Sequence, residues 1–353
     1  MLENKRILIT GGAGFLGYHL AQELPAYGVS EMAFNDIAPF FKEEYPDGSV
    51  LVNVDVRDKE GMLRLMRDQR INVVIHTAAA LPLWKRSEIY STNVDGLRTT
   101  LEAAEEVGVE RFVYISSTAV YGVPEKLPLV ESDPLEGVGA YGETKILGEQ
   151  ICDEFRSRGM SISIIRPKTF IGTARLGVFQ ILYDWVDSGK RIPIIGKGYN
   201  RYQLLEVTDL THAIALATAA PHEVANDTYN VGADRFQQVR QDVGDLCEFA
   251  GNGARVMPTP AKLVKPTLAF FEFIHVSPLY KWVYGTADKD SYVSTDKISE
   301  KLGWKPKYSN ADALITSHKW YLEHKDELAH SRPGVTHRVG WDQGVLGFFK
   351  RFM

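Results

Sequence analysis

Short apolar runs alternate with longer amphipathic segments through the first half of the chain. The runs that predict strands are Arg6–Thr10, Met32–Asp36, Val50–Val54, Val73–His76, Phe112–Ser116 and Ser161–Arg166. The segments that predict helices are Gly14–Gly28, Lys59–Gln69, Ile89–Val107 and Tyr141–Arg158. Buried strands that alternate with helices are typical of a parallel sheet covered by helices on both faces. The pattern therefore predicts an α/β fold with a doubly wound parallel sheet.

The pattern loosens after Pro167, where proline and glycine become frequent. Helical pieces and short strand-like runs then mix, at Val178–Ser188, Thr208–Ala219, Thr228–Val231 and Gln241–Ala250. We predict a first domain over residues 1–167, a smaller mixed lobe over 168–330 that covers a substrate, and a tail over 331–353. The chain is expected to re-enter the main sheet from the lobe.

Composition and charge exclude several classes of protein. The chain has 353 residues, of which 44% are hydrophobic and 24% charged, as in ordinary globular enzymes. A net charge of -5, without a basic arm or zinc-ligand spacing, argues against a nucleic-acid partner, and no metal site is predicted. Only Cys152 and Cys247 occur, so we expect a reducing, cytoplasmic location. We expect no signal peptide, and no membrane span because Glu272 and His275 interrupt the longest apolar run.

A glycine-rich turn follows the first predicted strand and fits the pattern G-x-G-x-x-G. Glycines allow a tight turn there and let backbone N–H groups approach a pyrophosphate, while the start of the following helix faces its negative charge. A strand on one side and a helix on the other make this pattern specific for a dinucleotide. The residues expected to line the turn are Gly11, Gly12, Gly14, Phe15, Leu16 and Gly17.

Acidic and small residues after the next strands complete the predicted dinucleotide site. Asp36 follows Gly17 by 19 positions, where a carboxylate accepts hydrogen bonds from the adenosine ribose and repels a 2′-phosphate. NAD is therefore favoured over NADP. Further cofactor contacts are predicted at Asp55, Val56, Thr77, Ala78 and Ala79. His76 is expected to be structural, and Asp58 to cap a helix.

Three residues downstream predict proton transfer. Ser117 follows the fifth strand, at the edge where open α/β sheets bind ligands, and Tyr141 and Lys145 lie one helical turn apart. A free tyrosine has a pKa near ~10, and we expect the Lys145 ammonium to lower the pKa of Tyr141 and to hold the nicotinamide ribose. We expect the Ser117 hydroxyl to hydrogen-bond the substrate oxygen. Together they indicate hydride and proton exchange at a secondary alcohol or ketone.

In their order along the chain these motifs resemble those of the extended short-chain dehydrogenase/reductases, the NAD-dependent epimerase/dehydratase superfamily. The resemblance covers about residues 6–310 and rests on TGGAGFLG, DVRD, HTAAA, STNVDG, SSTAVYG, YGETK, IIRPKTFIG, EVTDL, YNVG and LGWKP. It implies a Rossmann-type sheet, NAD as cofactor and a small-molecule substrate. It also implies Tyr141 as the acid/base, Lys145 as its electrostatic partner and Ser117 as the partner of the substrate oxygen. The family pattern selects Ser117 over Ser116, because Ser117 lies four residues before Tyr121.

The resemblance implies further contacts and an assembly. Asn93, Pro167 and Thr169 match positions beside the cofactor. Members of the family tend to form homodimers through a four-helix bundle, to which each subunit would here contribute Ile89–Val107 and Tyr141–Arg158. A homodimer is therefore expected.

Two positions depart from the pattern of family members that act on nucleotide sugars. Such enzymes usually carry two arginines that clamp the diphosphate. The matching positions here hold Tyr202 and Thr286, and Arg201 lies one residue away from the first. This departure argues against a standard nucleotide-sugar pocket. The residues expected to face the substrate are Leu81, Thr118 and Arg201.

Two apolar segments point to a different kind of substrate or surface. Residues 262–284, KLVKPTLAFFEFIHVSPLYKWVY, resemble insertions of the 3β-hydroxysteroid dehydrogenase branch, which cover an apolar ligand or touch a membrane. An ordinary pair of core helices is the alternative. The C-terminal sequence VGWDQGVLGFFKRFM fits either a helix lying in a membrane interface or a docked tail.

Three hypotheses of function follow. The first is an NAD-dependent oxidoreductase acting on an amphipathic or partly apolar alcohol or ketone, such as a sterol-like alcohol or a lipid-linked sugar. The second is a nucleotide-sugar 4-epimerase of the UDP-hexose type, which regenerates NAD in each cycle. A 4,6-dehydratase is disfavoured, because that branch carries an acidic pair where this chain has Thr118-Ala119. The third, a catalytically silent NAD-binding regulator, conflicts with the intact set of Ser117, Tyr141 and Lys145.

Overall fold

A computed structural model describes residues 2–82, 84–123, 126–273, 281–329 and 350. Its strands are β1 (Arg6–Thr10), β2 (Glu31–Asn35), β3 (Val50–Val52), β4 (Val73–His76), β5 (Arg111–Ile115), β6 (Ile162–Pro167), β7 (Thr169–Ile171), β8 (Arg191–Ile195), β9 (Leu204–Glu206), β10 (Thr228–Val231) and β11 (Arg255–Thr259). Its α-helices are α1 (Phe15–Glu23), α2 (Lys59–Asp68), α3 (Arg86–Tyr90), α4 (Gly96–Val107), α5 (Gly139–Ser157), α6 (Val178–Asp187), α7 (Val207–Ala219), α8 (His222–Ala225), α9 (Val239–Ala250), α10 (Ala261–Phe273), α11 (Lys281–Thr286), α12 (Asp296–Leu302) and α13 (Asn310–Ala329).

Seven of the described strands form one parallel sheet, in the order β10-β6-β5-β4-β1-β2-β3. The order reverses next to β1, which creates a crevice at the carboxyl ends of β1 and β4. Two small parallel pairs, β7 with β9 and β8 with β11, lie outside this sheet. The predicted doubly wound α/β fold is confirmed.

The core of the sheet follows the alternation of side chains along each strand. In β1, Ile7 and Ile9 belong to the apolar cluster on one face, and Leu8 belongs to the cluster on the other. Successive residues of a strand point to opposite faces, so a continuous apolar run requires helices on both. A third cluster, around Tyr183 and Trp185, forms the core of the second lobe.

The helix predicted over Ile89–Val107 is interrupted. Helix α3 begins earlier, at Arg86, and a π-helical turn over Ser91–Asp95 separates it from α4. In this turn the Oδ1 of the Asn93 amide accepts a hydrogen bond from the backbone N–H of Ala80 at 2.7 Å. Such turns often mark functional sites, because they point one side chain away from the regular helical face.

The chain returns from the lobe to the main sheet through β10. Thr228 to Val231 pair in parallel with Ile164 to Pro167 of β6. The chain thus rejoins the main sheet at β10, while the proposed domain bounds of 1–167, 168–330 and 331–353 stay predictions. Most of the tail, including its apolar sequence, lies outside the described residues.

The EVTDL and LGWKP motifs connect the lobe with the sheet. The Asp209 carboxylate accepts hydrogen bonds from the backbone N–H groups of Lys307 and Tyr308, at 2.9 and 3.1 Å. The buried Trp304 indole donates to the Asp209 carbonyl oxygen at 3.0 Å. Asp209 of the EVTDL motif therefore binds the LGWKP segment and serves the fold.

The helices predicted to form a dimer interface are neighbours within one subunit. Arg98 of α4 and Glu154 of α5 form an ion pair at 2.8 Å. Leu147 of α5 is an exposed apolar side chain on the outer surface. The homodimer stays a prediction. No helix in the described part of the chain is long and apolar enough to cross a bilayer.

Candidate active site

The glycine turn after β1 brings several backbone segments into very close contact. Gly11 has a φ of +68°, and a Cβ there would lie 2.7 Å from the backbone nitrogen of Ala78. A Cβ on Gly17 would lie 2.5 Å from the Gly12 carbonyl oxygen. Only glycine fits at both positions, and the turn leads straight into α1, whose first N–H groups favour an anion.

Asp36 lies directly after β2 and is joined to this turn. Its Oδ2 accepts a hydrogen bond from the backbone of Ala13 at 3.0 Å, and its Oδ1 accepts one from Ala38 at 2.9 Å. Burial raises the pKa of Asp36, and these backbone hydrogen bonds act in the opposite direction. The carboxylate is thus fixed beside the glycine turn, as ribose recognition requires.

The next predicted cofactor residues line the edge beyond β3 and β4. Asp55 pairs with Arg57, which lowers the pKa of the Asp55 carboxyl, and Val56 is buried. The Thr77 hydroxyl donates to the Thr10 carbonyl at 2.6 Å and holds the following Ala78–Ala79 backbone against β1. These residues lie where expected, and their contact with the cofactor stays a prediction.

Asn93 joins the β4 edge to the helix that carries the tyrosine. Its Nδ2 donates to the Ala80 carbonyl at 3.3 Å and to the Thr144 hydroxyl of α5 at 3.1 Å. Asn93 is buried, and its amide is engaged by the protein itself. It positions the loop after β4, and its contact with the cofactor stays a prediction.

Ser117, Tyr141 and Lys145 come together at the carboxyl end of β5. Ser117 leaves β5 in an extended conformation, and Tyr141 lies in the first turn of α5. The Ser117 side chain is near enough to the Tyr141 phenol to act on its pKa, and the Lys145 ammonium lies 5.7 Å from the centre of the Tyr141 ring. The sequence predicted this grouping, and the fold produces it.

Lys145 is a buried cation held by the end of β5. Its Nζ donates to the Ile115 carbonyl at 2.7 Å and lies 4.9 Å from the centre of the Tyr114 ring. Burial lowers the pKa of Lys145 to about 8, while the nearby Glu149 acts to raise it. The ammonium charge is therefore only partly compensated in this site.

The pKa of Tyr141 moves in the direction opposite to the one expected from the sequence. Burial raises the pKa of Tyr141 to about 12, whereas the hydrogen bond with Ser117 and the charge of Arg175 act to lower it. The Lys145 ammonium is directed at the Ile115 carbonyl, so desolvation of the phenol outweighs its influence. The expected net lowering of the Tyr141 pKa was therefore wrong.

The two adjacent serines have different partners. The Ser116 hydroxyl donates to Glu149 at 2.5 Å, and Glu149 forms a buried ion pair with Arg166 of β6. Ser117, in contrast, faces Tyr141. This arrangement supports the choice of Ser117 as the residue next to the substrate oxygen, and Ser116 belongs to a buried network.

A match to a family model decides the relationship. The model of the NAD dependent epimerase/dehydratase family matches residues 7–232. The chain belongs to the NAD-dependent epimerase/dehydratase family. It is therefore an NAD-dependent enzyme of the extended short-chain dehydrogenase/reductase type, and the hypothesis of a silent regulator is not supported.

Relatives cover nearly the whole chain. An uncharacterized protein of Sinorhizobium fredii is 32% identical over 350 residues, which are 97% of this chain and 85% of that protein. The UDP-glucose 4-epimerase of Azospirillum brasilense is 28% identical over 339 residues, covering 88% of this chain and 90% of that enzyme.

Solved structures of the family superpose along the same length. The Thermus thermophilus UDP-glucose 4-epimerase, in complex with NAD, gives a TM-score of 0.73 at 26% identity and covers 90% of this chain and 99% of its own. An epimerase of Methanothermobacter thermautotrophicus gives a TM-score of 0.76 at 26% identity, covering 92% and 94%.

The glycine turn and Asp36 fit the NAD that the family uses. The close approaches at Gly11 and Gly17 allow the tight turn into α1, where the pyrophosphate of NAD would lie, and Asp36 would accept from the adenosine ribose. The Lys145 ammonium would hold the other ribose. When bound, NAD supplies the site with a hydride acceptor.

The predicted substrate residues of this epimerase/dehydratase family member come from three separate segments of the chain. Leu81 and Thr118 are half-buried in the loops after β4 and β5. Arg201 is exposed, and its guanidinium lies over the rings of Phe236 and Tyr292, 4.7 and 5.0 Å from their centres. Their contact with a substrate stays a prediction.

Tyr202 occupies the position where the family pattern has an arginine, and its side chain turns the other way from that of Arg201. The Tyr202 hydroxyl and Thr169 Oγ1 share a hydrogen bond at 3.3 Å. Neighbouring residues of an extended backbone point to opposite sides, so Arg201 and Tyr202 face different surroundings.

One cation near Tyr141 was not predicted from the sequence. Arg175, in the loop before α6, is buried, and its charge lowers the pKa of Tyr141. Its guanidinium lies 5.1 Å from the centre of the Phe15 ring, next to the glycine turn. No motif marks this position, because its proximity depends on how the lobe folds over the sheet.

The apolar segment 262–284 is described in part. Helix α10 contains Leu263 and Phe270, which are 68% and 59% exposed, whereas Leu268 is buried. Residues 274–280 lie outside the described part of the chain. A substrate lid, a membrane contact and a core helix pair therefore all stay predictions for this segment.

Proposed function

We propose that this enzyme is an epimerase that inverts a secondary hydroxyl of a nucleoside-diphosphate sugar at its C4 position and keeps NAD bound. The observation that carries the proposal is the grouping of Ser117, Tyr141 and Lys145 at the sheet edge, next to the glycine turn. The UDP-glucose 4-epimerases that match this chain along about nine-tenths of both lengths support the choice of reaction.

The side chains have separate tasks in such a reaction. Tyr141 takes the proton of the sugar hydroxyl and later returns it, while Ser117 holds the same oxygen by a hydrogen bond. Lys145 stays protonated next to Tyr141 and stabilises the Tyr141 phenolate as it forms. The high pKa of Tyr141 in the protein alone means that this stabilisation must come from positive charges nearby.

The second candidate is a dehydrogenase of an amphipathic alcohol. The observation that favours it is the exposed pair Leu263 and Phe270 on α10, which would suit an apolar substrate or surface. Neither the fold nor the relatives support a sterol-like substrate in particular. A soluble sugar nucleotide therefore ranks first, contrary to the order that the sequence suggested.

One assay separates the two candidates. The purified enzyme is incubated with UDP-galactose without added NAD, and UDP-glucose is measured by chromatography. We expect interconversion without net formation of NADH, because a 4-epimerase regenerates its cofactor. Failure to convert UDP-galactose, together with stoichiometric NADH formation from an apolar alcohol and added NAD, would replace the first candidate with the second.

The homodimer belongs to the same proposal. The outer surfaces of α4 and α5, including Leu147, would pack against the same surfaces of a second copy. Sedimentation velocity should give about twice the mass of one chain. Replacement of Leu147 with Glu should then shift the protein to monomers, and an unchanged mass would exclude this surface.

A further inference from the structure

A second buried lysine lies near the candidate site. Lys168 follows β6 directly, and only 4% of it is exposed. Its Nζ donates to the Ser291 hydroxyl at 2.7 Å and lies 4.9 Å from the centre of the Tyr202 ring. In the described residues no carboxylate lies within ion-pair distance of this ammonium, although a buried charge normally has one.

The position of Lys168 connects it with the reacting residues. Ile115 of β5 pairs with Ile165 of β6, so Ser117 and Lys168 both lie just past the ends of adjacent strands. The next residue, Thr169, shares a hydrogen bond with Tyr202, over whose ring the ammonium lies. The charge is therefore at the carboxyl edge of the sheet, where this fold binds ligands.

Two half-buried residues contact the Lys168 ammonium, Ser291 as its hydrogen-bond acceptor and Tyr202 through its ring. Tyr202 and Ser291 face each other in an isolated parallel bridge between the two segments that cover the lysine. Both offer hydroxyl groups, and Lys168 adds a cation beneath them. A hydroxyl pair with an uncompensated ammonium suits the oxygens of an anionic group.

We propose that Lys168 determines substrate specificity by binding an anionic group of the substrate, either a phosphate or a carboxylate. This inference rests on the proposed function, since the substrate is taken to be a sugar nucleotide. The Lys168 ammonium, which comes from a different strand, lies 4.9 Å from the ring centre of Tyr202, the residue that stands where the family pattern has an arginine. Arg201 does not serve there, because it is stacked on Phe236 and Tyr292.

The test measures the affinity of the NAD-loaded enzyme for three probes by calorimetry: UDP, UDP-glucose and UDP-glucuronate. Lys168→Met removes the charge at similar length, and Lys168→Arg retains it. Lys197→Met, an exposed lysine of the same lobe, is the control. We expect Lys168→Met to weaken binding by about 30-fold or more, as the loss of a buried charge partner does, and Lys168→Arg to weaken it much less.

The pattern across the probes identifies the anionic group. An equal loss for all three assigns Lys168 to phosphate, and a loss confined to UDP-glucuronate assigns it to the sugar carboxylate. Unchanged dissociation constants for Lys168→Met would overturn the proposal, as would failure of the wild-type enzyme to bind any probe. Ser291→Ala removes the hydrogen-bond partner of Lys168 and tests a purely structural role of the lysine. In that role, loss of the hydrogen bond would change the stability of the enzyme but not its affinity for the probes.

Failure of the anion site and failure of the proposed reaction give different results. A wild-type enzyme that binds UDP through Lys168 but does not convert UDP-galactose would refute the 4-epimerase and keep the anion site. An enzyme that converts UDP-galactose equally well with Lys168→Met would keep the 4-epimerase and refute the anion site.

Discussion

Replacing Lys168 with methionine should make the folded enzyme more stable while it impairs substrate binding. Burial lowers the pKa of Lys168 from 10.5 to about 7, so folding must desolvate a charge that has no carboxylate partner in the described residues. At about 1.4 kcal/mol per pKa unit, the cost at pH 7 is on the order of 4 kcal/mol. Methionine fills a similar volume without this cost, so we expect the free energy of unfolding to rise by about 2–4 kcal/mol.

The pH dependence gives the same prediction a second check. Because the folded pKa of Lys168 is depressed, the unfolded chain binds more protons between pH 7 and 10.5, and the cost falls as pH rises through this window. The advantage of Lys168→Met should therefore shrink by about 2–3 kcal/mol between pH 7 and 9 in urea titrations followed by tryptophan fluorescence. Lys197→Met should show no such dependence. A Lys168→Met enzyme that is less stable than wild type at pH 7 would refute the reasoning, because the lysine would then be a stabilising structural residue.

Three other changes test the rest of the site. Tyr141→Phe should reduce kcat by at least about 10²-fold, the usual range for a lost general acid/base, and leave the Kd for NAD nearly unchanged; a kcat within threefold of wild type would refute the assignment. Asp36→Ala should lower the preference for NAD over NADP in fluorescence titrations, since the carboxylate no longer repels a 2′-phosphate; an unaltered ratio of the two dissociation constants would argue against ribose binding. Glu149→Gln should destabilise the fold by about 3–5 kcal/mol in urea titrations, because it leaves the Arg166 guanidinium buried without its anion; a loss below about 1 kcal/mol would show that the ion pair is dispensable.

The sheet and the reacting residues could be predicted from local patterns. Parallel strands place their carboxyl ends at one edge, so residues that follow different strands, such as Asp36 and Ser117, are certain to share that edge once the strands are known. The spacing of Tyr141 and Lys145 fixes their relation on one helix. These features depend on short-range geometry, which follows directly from the spacing of residues in the sequence.

The remainder depends on contacts between segments far apart in the chain. Arg175 lies near Tyr141 only because the lobe folds over the sheet, and no repeating sequence pattern predicts this proximity. The break in the helix at Ser91–Asp95 arises from the Asn93 amide binding the loop after β4. The pKa of Tyr141 rises because burial, which is a property of the assembled fold, outweighs the charge four residues away.

Strand β10 has a consequence for how this enzyme can be divided and how its relatives can diverge. A chain shortened to residue 167 would expose the β6 edge, where Ile164 and Ile165 would carry unpaired backbone groups in an apolar strand, and such edges promote aggregation. The cofactor-binding part is thus not a separable module that ends before the lobe. The lobe is built from segments on both sides of β10, since β8 pairs with β11. A change of the substrate lobe in this architecture must therefore preserve the pairing of β10 with β6.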